Sequence, residues 1–364
     1  MILEGLVMKI IKKYLYDVRV LCDMIKIKRE GIVLKSTENE FENHAVLNPS
    51  IVQDGNIVHM FYRAVRNGNY SSIGYCKLEG PLKVIERSKI PILAPEYDYE
   101  KHGIEDPRIV KFNDIYYMFY MAYNGKDVVT AYAISKNLKK WEKKGPISYL
   151  ISYAEAKNIF IKAKLEERYF NWDIYDKSEI DTPKNVYIWG KDSFIFPKRI
   201  NGKFYLLHRV LPEVQAITFR DFRDLTKSYW KKHLSKLGES RVIDQRYWFE
   251  SRAIGAGAPP IETNKGWLLI YHAIENSPNG RIYRACAALV SKNNPYKMIS
   301  RLDYPLFSPS EEYEKCGDVN NVVFPTGTAI FGDRLYIYYG AADKRIAAVS
   351  LSLNELLNEL LKSS

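Results

Sequence analysis

Two adjacent carboxylates offer the first chemistry in this sequence. Glu105 and Asp106 stand in the stretch HGIEDPRIV, residues 102–110, ahead of Pro107 and Arg108. In extended backbone, neighbouring side chains point to opposite faces, so one carboxylate is expected to face a site and the other to serve the scaffold. Proline fixes its own φ and disfavours the helical region in the residue before it. Asp106 is therefore expected in β or polyproline geometry on a stiff support. By itself the triplet reads equally well as a charged loop before an edge strand.

Similar polar groups recur along the chain. Asn48 precedes Pro49; Lys191 and Asp192 open a segment ending at Pro197; Gly255 and Gly257 precede Pro259; Asp318 and Asn320 precede Pro325. Downstream strand ends carry Arg63, His208, Arg209, Tyr271, His272 and Asp343. Such a set holds carboxylates for acid chemistry and hydroxyl binding, and cations for an anion.

The elements that must position these groups form one repeating unit. A Pro-containing apolar segment is followed by a polar turn, an aromatic-rich alternating strand and another strand. The unit occurs five times, with turns at Gly55, Asn113, Asn201, Asn264 and Gly332. Turns of this type between alternating strands signal hairpins. A period of about 60 residues or more suits propeller blades carrying loop insertions. An all-β fold follows: a five-bladed β-propeller over 25–350, a helical arm over 1–24 and an amphipathic helix over 351–364. Insertions are expected at about 145–190, with a helix over 154–167, and at about 220–240. The first strand of each propeller blade lines the central channel, which would collect the polar groups into one ring.

Composition narrows the partners. The chain has 364 residues, 46% hydrophobic and 13% aromatic, enough for a substantial core. Its formal charge is +11, but the basic residues are dispersed and no recognised RNA motif appears, so no nucleic-acid partner is expected. A small acidic partner such as phosphate needs only a few convergent cations. Four scattered cysteines and the lack of a signal peptide or a membrane-length apolar run lead to a cytoplasmic expectation. No spacing resembles a zinc site, and no Walker loop or dinucleotide fingerprint is present, so neither metal nor cofactor is expected. The N-terminal helix is a candidate surface for homo-oligomer formation.

The segments GIEDPRIV, KDSFIFPKRINGKFYLLHR, IGAGAPPI followed by GWLLIYHA, and GDVNNVVFPTG followed by YYGAAD occur in that order. They resemble glycoside hydrolase family 130, mainly β-mannoside phosphorylases with some mannosidases. The resemblance covers about residues 30–350 and also implies a five-bladed propeller. It implies Asp106 as general acid, with Asn48, Arg63 and Asp318 around the sugar; the ring of polar groups adds Glu105 and Asp343 to the substrate-binding set. Phosphorylase members share a basic cluster, matched here by Lys191, Arg209 and His272 with Tyr271 beside them; His208 is a lesser candidate, because alternation sends it away from Arg209. The expected reaction is phosphorolysis of a β-mannoside with inversion, with inorganic phosphate as co-substrate. Three rivals stand: a mannosidase using Glu250 or Glu262 as base, a furanosidase-type hydrolase using Asp106, Asp192 and Asp318, and a non-catalytic glycan-binding or RNA-associated propeller.

Overall fold

The computed structural model describes residues 25–172, 186–188 and 190–362. The expected N-terminal arm lies outside the described residues. The rest is a five-bladed β-propeller of four-stranded antiparallel blades. The first blade contains β2 (Ala45–Asp54), β3 (Ile57–Arg66), β4 (Tyr70–Glu79) and β5 (Lys83–Arg87). The second contains β6 (Gly103–Phe112), β7 (Ile115–Tyr123), β8 (Val128–Ser135) and β9 (Glu142–Pro146). A small pair, β10 (Ile151–Ser152) with β11 (Tyr187–Ile188), precedes the third blade: β12 (Lys191–Ile195), β13 (Phe204–Val210), β14 (Glu213–Phe219) and β15 (Arg241–Ile243). The fourth has β16 (Ala253–Ala256), β17 (Ile261–Glu262), β18 (Trp267–Ser277), β19 (Gly280–Val290) and β20 (Met298–Arg301), with β16 and β17 both pairing β18. The fifth has β21 (Val323–Phe331), β22 (Arg334–Ala341) and β23 (Arg345–Ser352).

The outermost strand of the fifth blade comes from the other end of the chain. β1 (Lys28–Leu34) pairs antiparallel with β23, from Lys28↔Ser350 to Leu34↔Ile346. The ring is thereby closed by hydrogen bonds between the two ends of the fold. The hairpin turns carry the left-handed backbone their sequences call for, at Gly55, Asn113, Asn201 and Gly332.

A buried clasp recurs inside four blades. A glutamate in the short helical turn before the inner strand accepts from a tyrosine on the second strand and pairs with a cation on the outermost strand. Glu42 takes Tyr62 at 2.7 Å and Arg87 at 2.9 Å. Glu100 takes Tyr120 and Lys143, Glu250 takes Tyr271 and Arg301, and Glu314 takes Tyr339 and Arg29. All four glutamates are fully buried, so each needs the partners it has.

The third blade departs from this pattern where the insertions join it. His208 stands in the tyrosine position and meets His233 of the helix Lys227–Leu234, Nε2 to Nε2 at 2.7 Å. Glu213 instead accepts from Tyr169 and from Arg168 at 2.8 Å. The first insertion contains the helix Tyr153–Lys162, capped by Ser152. Trp230 donates to the Ile147 carbonyl at 2.7 Å, tying the two insertions' roots together. At the far end, the helix Leu353–Lys362 buries Leu356, Leu357 and Leu360 against the fourth and fifth blades.

Candidate active site

The site begins as a backbone irregularity repeated in three blades. In β2 the register passes from Leu47↔Arg63 to Ser50↔Phe61, and in β6 from Glu105↔Met121 to Arg108↔Phe119. In β12 it passes from Lys191↔Arg209 to Phe194↔Leu207. One extra residue sits in each inner strand, a β-bulge that re-aims side chains. The first extra residue is Asn48, Asp106 and Asp192, with φ of 50°, 51° and 54°. Asn and Asp are the non-glycine residues that best tolerate this left-handed conformation.

This corrects two expectations. Asp106 is not extended, in spite of Pro107, because the bulge imposes positive φ. Nor do Glu105 and Asp106 divide between site and scaffold: the bulge breaks the alternation, and both serve the channel beside the first blade. Glu105 Oε1 accepts from Arg63 Nη2 at 2.7 Å, and Asp106 Oδ1 accepts from Asn48 Nδ2 at 2.7 Å.

Glu105, Asp106, Asp318 and Asp343, with Arg63 among them, form the acidic side of the site. Burial alone would lower the Arg63 pKa, yet Glu105, Asp106 and Asp343 together raise it above its ordinary value. Asp343 lies in the tight turn between β22 and β23, at φ 51°. Burial lifts its pKa to about 6; Arg63 opposes the rise, while Asp106, Asp318 and Glu105 add to it. Asp318 accepts from His44 Nε2 at 2.5 Å and Lys344 Nζ at 3.0 Å. Arg63, His44, Asp318 and Asp343 line one cavity of about 550 Å³.

Lys191, Arg209 and His272 form the basic side. Arg209 Nε pairs with Asp192 Oδ2 at 3.2 Å, and Arg209 Nη1 lies 3.1 Å from His272 Nε2. A guanidinium only donates, so His272 Nε2 accepts and the ring is neutral. Burial, then Arg209 and Arg108, hold its pKa well below the ordinary imidazole range. Burial and Arg209 also lower the Lys191 ammonium, against Glu105, Asp106 and Asp192. An incoming anion would relieve both effects. Lys191 and Arg209 line a second cavity, of about 340 Å³, between the third and fourth blades.

Comparison with known proteins decides the family. A family model described as beta-1,4-mannooligosaccharide phosphorylase matches residues 22–362. The chain belongs to glycoside hydrolase family 130. A 1,2-beta-oligomannan phosphorylase of Thermoanaerobacter sp. (strain X514) is 33% identical, with 92% of this chain and 99% of that protein covered. A beta-1,2-mannobiose phosphorylase of the same organism is 32% identical over 89% of this chain and 95% of its own length. Among solved structures, a beta-1,2-mannobiose phosphorylase from Listeria innocua superposes with a TM-score of 0.68 at 22% identity, covering 92% of this chain and 99% of that one.

In this family 130 chain, four residues read from the sequence as site groups stand elsewhere. Tyr271 is not in the basic cluster. It neighbours His272 on a regular strand, so alternation sends it to the opposite face, where it is fully buried and bonded to Glu250. His208 is likewise buried behind the strand against His233. Arg108 is buried under the site, donating to the Gly257 carbonyl at 2.6 Å and to the carbonyls of Asp106 and Pro107. Asn320 caps the turn at Gly317.

The glycines keep the centre of the ring open. A Cβ on Gly255 would lie 2.3 Å from His272 and 2.5 Å from Asp192; one on Gly340 would lie 2.2 Å from Asn48 Oδ1. His44 and Lys344 escaped the sequence reading. Lys344 immediately follows Asp343, which was the available signal; nothing local marks His44. Among the described residues no group of three His, Cys, Asp or Glu is placed to hold a metal, and no helix is long and apolar enough to cross a membrane.

Proposed function

We propose that this chain is an inverting β-mannoside phosphorylase acting on β-1,2-linked mannooligosaccharides. Phosphate attacks the anomeric carbon from the α face as the glycosidic bond breaks. Asp106 gives its proton to the leaving oxygen, directly or through a sugar hydroxyl. The products are α-mannose 1-phosphate and an oligosaccharide one sugar shorter. Asn48 orients Asp106; Arg63, Glu105, Asp318 and Asp343 bind sugar hydroxyls; Lys191 and Arg209 hold phosphate, with His272 fixing Arg209.

One observation supports phosphate over water. An inverting hydrolase needs a second carboxylate about 6.5–9.5 Å from the acid to activate water. The carboxylates considered for that task are already committed. Glu250 is fully buried in a clasp with Tyr271 and Arg301. Glu262 pairs with Lys198 at 2.6 Å near the surface. Asp192 is held by Arg209. Phosphate needs positioning and charge neutralisation instead of deprotonation. The β-1,2 linkage rests on the 1,2-beta-oligomannan relative, which matches this chain along nearly its whole length.

The test is synthesis from α-mannose 1-phosphate with β-1,2- and β-1,4-mannobiose as separate acceptors, following phosphate release, alongside degradation with and without phosphate. Faster release with the β-1,2 acceptor, and degradation only with phosphate, are expected. Free mannose formed at the same rate without phosphate would make the chain a mannosidase.

A further inference from the structure

The described lining of the cavity between the third and fourth blades carries charge of one sign, on more residues than the two that face the proposed acid. It includes four cations, Lys191, Arg209, Arg252 and Arg281, and no carboxylate. The inner pair is partly compensated: Asp192 holds Arg209, and Glu105, Asp106 and Asp192 act on Lys191. The outer pair stands on the fourth blade, nearer solvent. Arg252 directly precedes β16, its amide fixed to the Ile274 carbonyl at 2.9 Å. Arg281 faces Asn276 beside the turn of the β18–β19 hairpin and is exposed. A nearby acid on these strands, Glu275, is already taken by Arg284 at 2.5 Å.

We propose that Arg252 and Arg281 form an outer station for phosphate-class dianions, through which inorganic phosphate enters and α-mannose 1-phosphate leaves. This rests on the phosphorylase reading. A concave wall carrying one sign of charge focuses the field and raises the local concentration of the opposite ion. The two arginines extend that field from Lys191 and Arg209 to the mouth of the cavity. They touch the travelling anion and not the bond being broken, so their effect falls on capture and release. A neutral mannoside gains nothing from them.

The test is steady-state kinetics of Arg281→Ala and Arg281→Lys in both directions, at ionic strengths from about 0.01 to about 0.15 M, where the screening length falls from about 30 to about 8 Å. Arg281→Ala is expected to raise KM for phosphate and for α-mannose 1-phosphate roughly fivefold, a fraction of what a whole focusing field supplies. It should also flatten the salt dependence of kcat/KM for phosphate, with kcat changed less than about twofold and KM for the mannoside unaltered. Arg281→Lys should restore most of the phosphate constants. Phosphate-dependent turnover with unchanged constants in Arg281→Ala, or an equal rise in the mannoside KM, overturns the outer station alone. Phosphate-independent turnover by the wild-type chain overturns the phosphorylase reading and the station with it.

Discussion

Asn48 and Asp106 occupy the same bulge position in neighbouring blades, and the first holds the second, Nδ2 to Oδ1 at 2.7 Å. The side-chain oxygen of Asn48, Oδ1, is buried with no hydrogen-bond partner among the described residues, and Gly340 leaves the space beside it. Asn48→Ala should lower kcat about tenfold or more, and Asp106→Asn by about 10³, within the range of a general acid. Gly340→Ala should act through Asn48 and cost about tenfold in kcat with the fold intact by circular dichroism, since its Cβ would collide with the amide. Undiminished phosphate release by Gly340→Ala would remove the positioning role from Asn48.

Arg209 is aimed by a neutral histidine. His272→Ala should raise KM for phosphate about tenfold, equivalent to about 1.4 kcal/mol of lost positioning. His272→Gln, which can still accept from a guanidinium, should recover part of it. A larger effect on the mannoside KM than on the phosphate KM would place His272 on the sugar side instead.

Asp343 links the site to pH. Its folded pKa of about 6 lies above the ordinary 3.8, so the folded chain holds a proton that the unfolded chain has lost. The stability this group contributes is complete below about pH 4 and is lost as pH rises through about 6. Asp343→Asn should therefore raise Tm at pH 7.5 by about 2–4 °C, with a gain that vanishes towards pH 4, while turnover falls. Calorimetry across that window checks the sign; a gain independent of pH would refute it.

Glu250 is structural. Glu250→Gln leaves Arg301 without its buried counter-charge and should cost about 3–5 kcal/mol in urea unfolding. Tyr271→Phe should cost about 1–2 kcal/mol. Folded fractions of both should still require phosphate for degradation. A stable but inactive Glu250→Gln would return this residue to the list of bases.

Much of this was legible in the sequence because a propeller repeats. Five turn-strand units, each with a positive-φ residue at its predicted hairpin, reveal the blades before any contact is known. The ring position of Asn48, Asp106 and Lys191 follows from the same repetition. What stayed hidden depends on register. A bulge adds one residue and inverts the facing of everything before it, which is why Glu105 and Asp106 were assigned to opposite sides. Tyr271 was misplaced for the converse reason: its strand is regular, and the alternation that removes His208 removes it too. The clasps had a visible mark, a tyrosine before Arg63, Met121, His272 and Gly340 with a glutamate 20 to 25 residues upstream, but no single blade gives that spacing meaning. His44 reaches Asp318 across 274 residues of sequence, a contact that only ring closure creates.

The pairing of β1 with β23 sets the order in which this enzyme comes into being. Lys28–Leu34 is synthesised before the strands it closes upon, and its partner Arg345–Ser352 after the other described strands. Until that partner emerges, the fifth blade has no outer strand, and the turn carrying Asp343 has no frame to hold it against Arg63. The middle blades can fold as they appear. The active site cannot: its acidic side is complete only when Arg345–Ser352 has been made and has paired with the strand that waited longest.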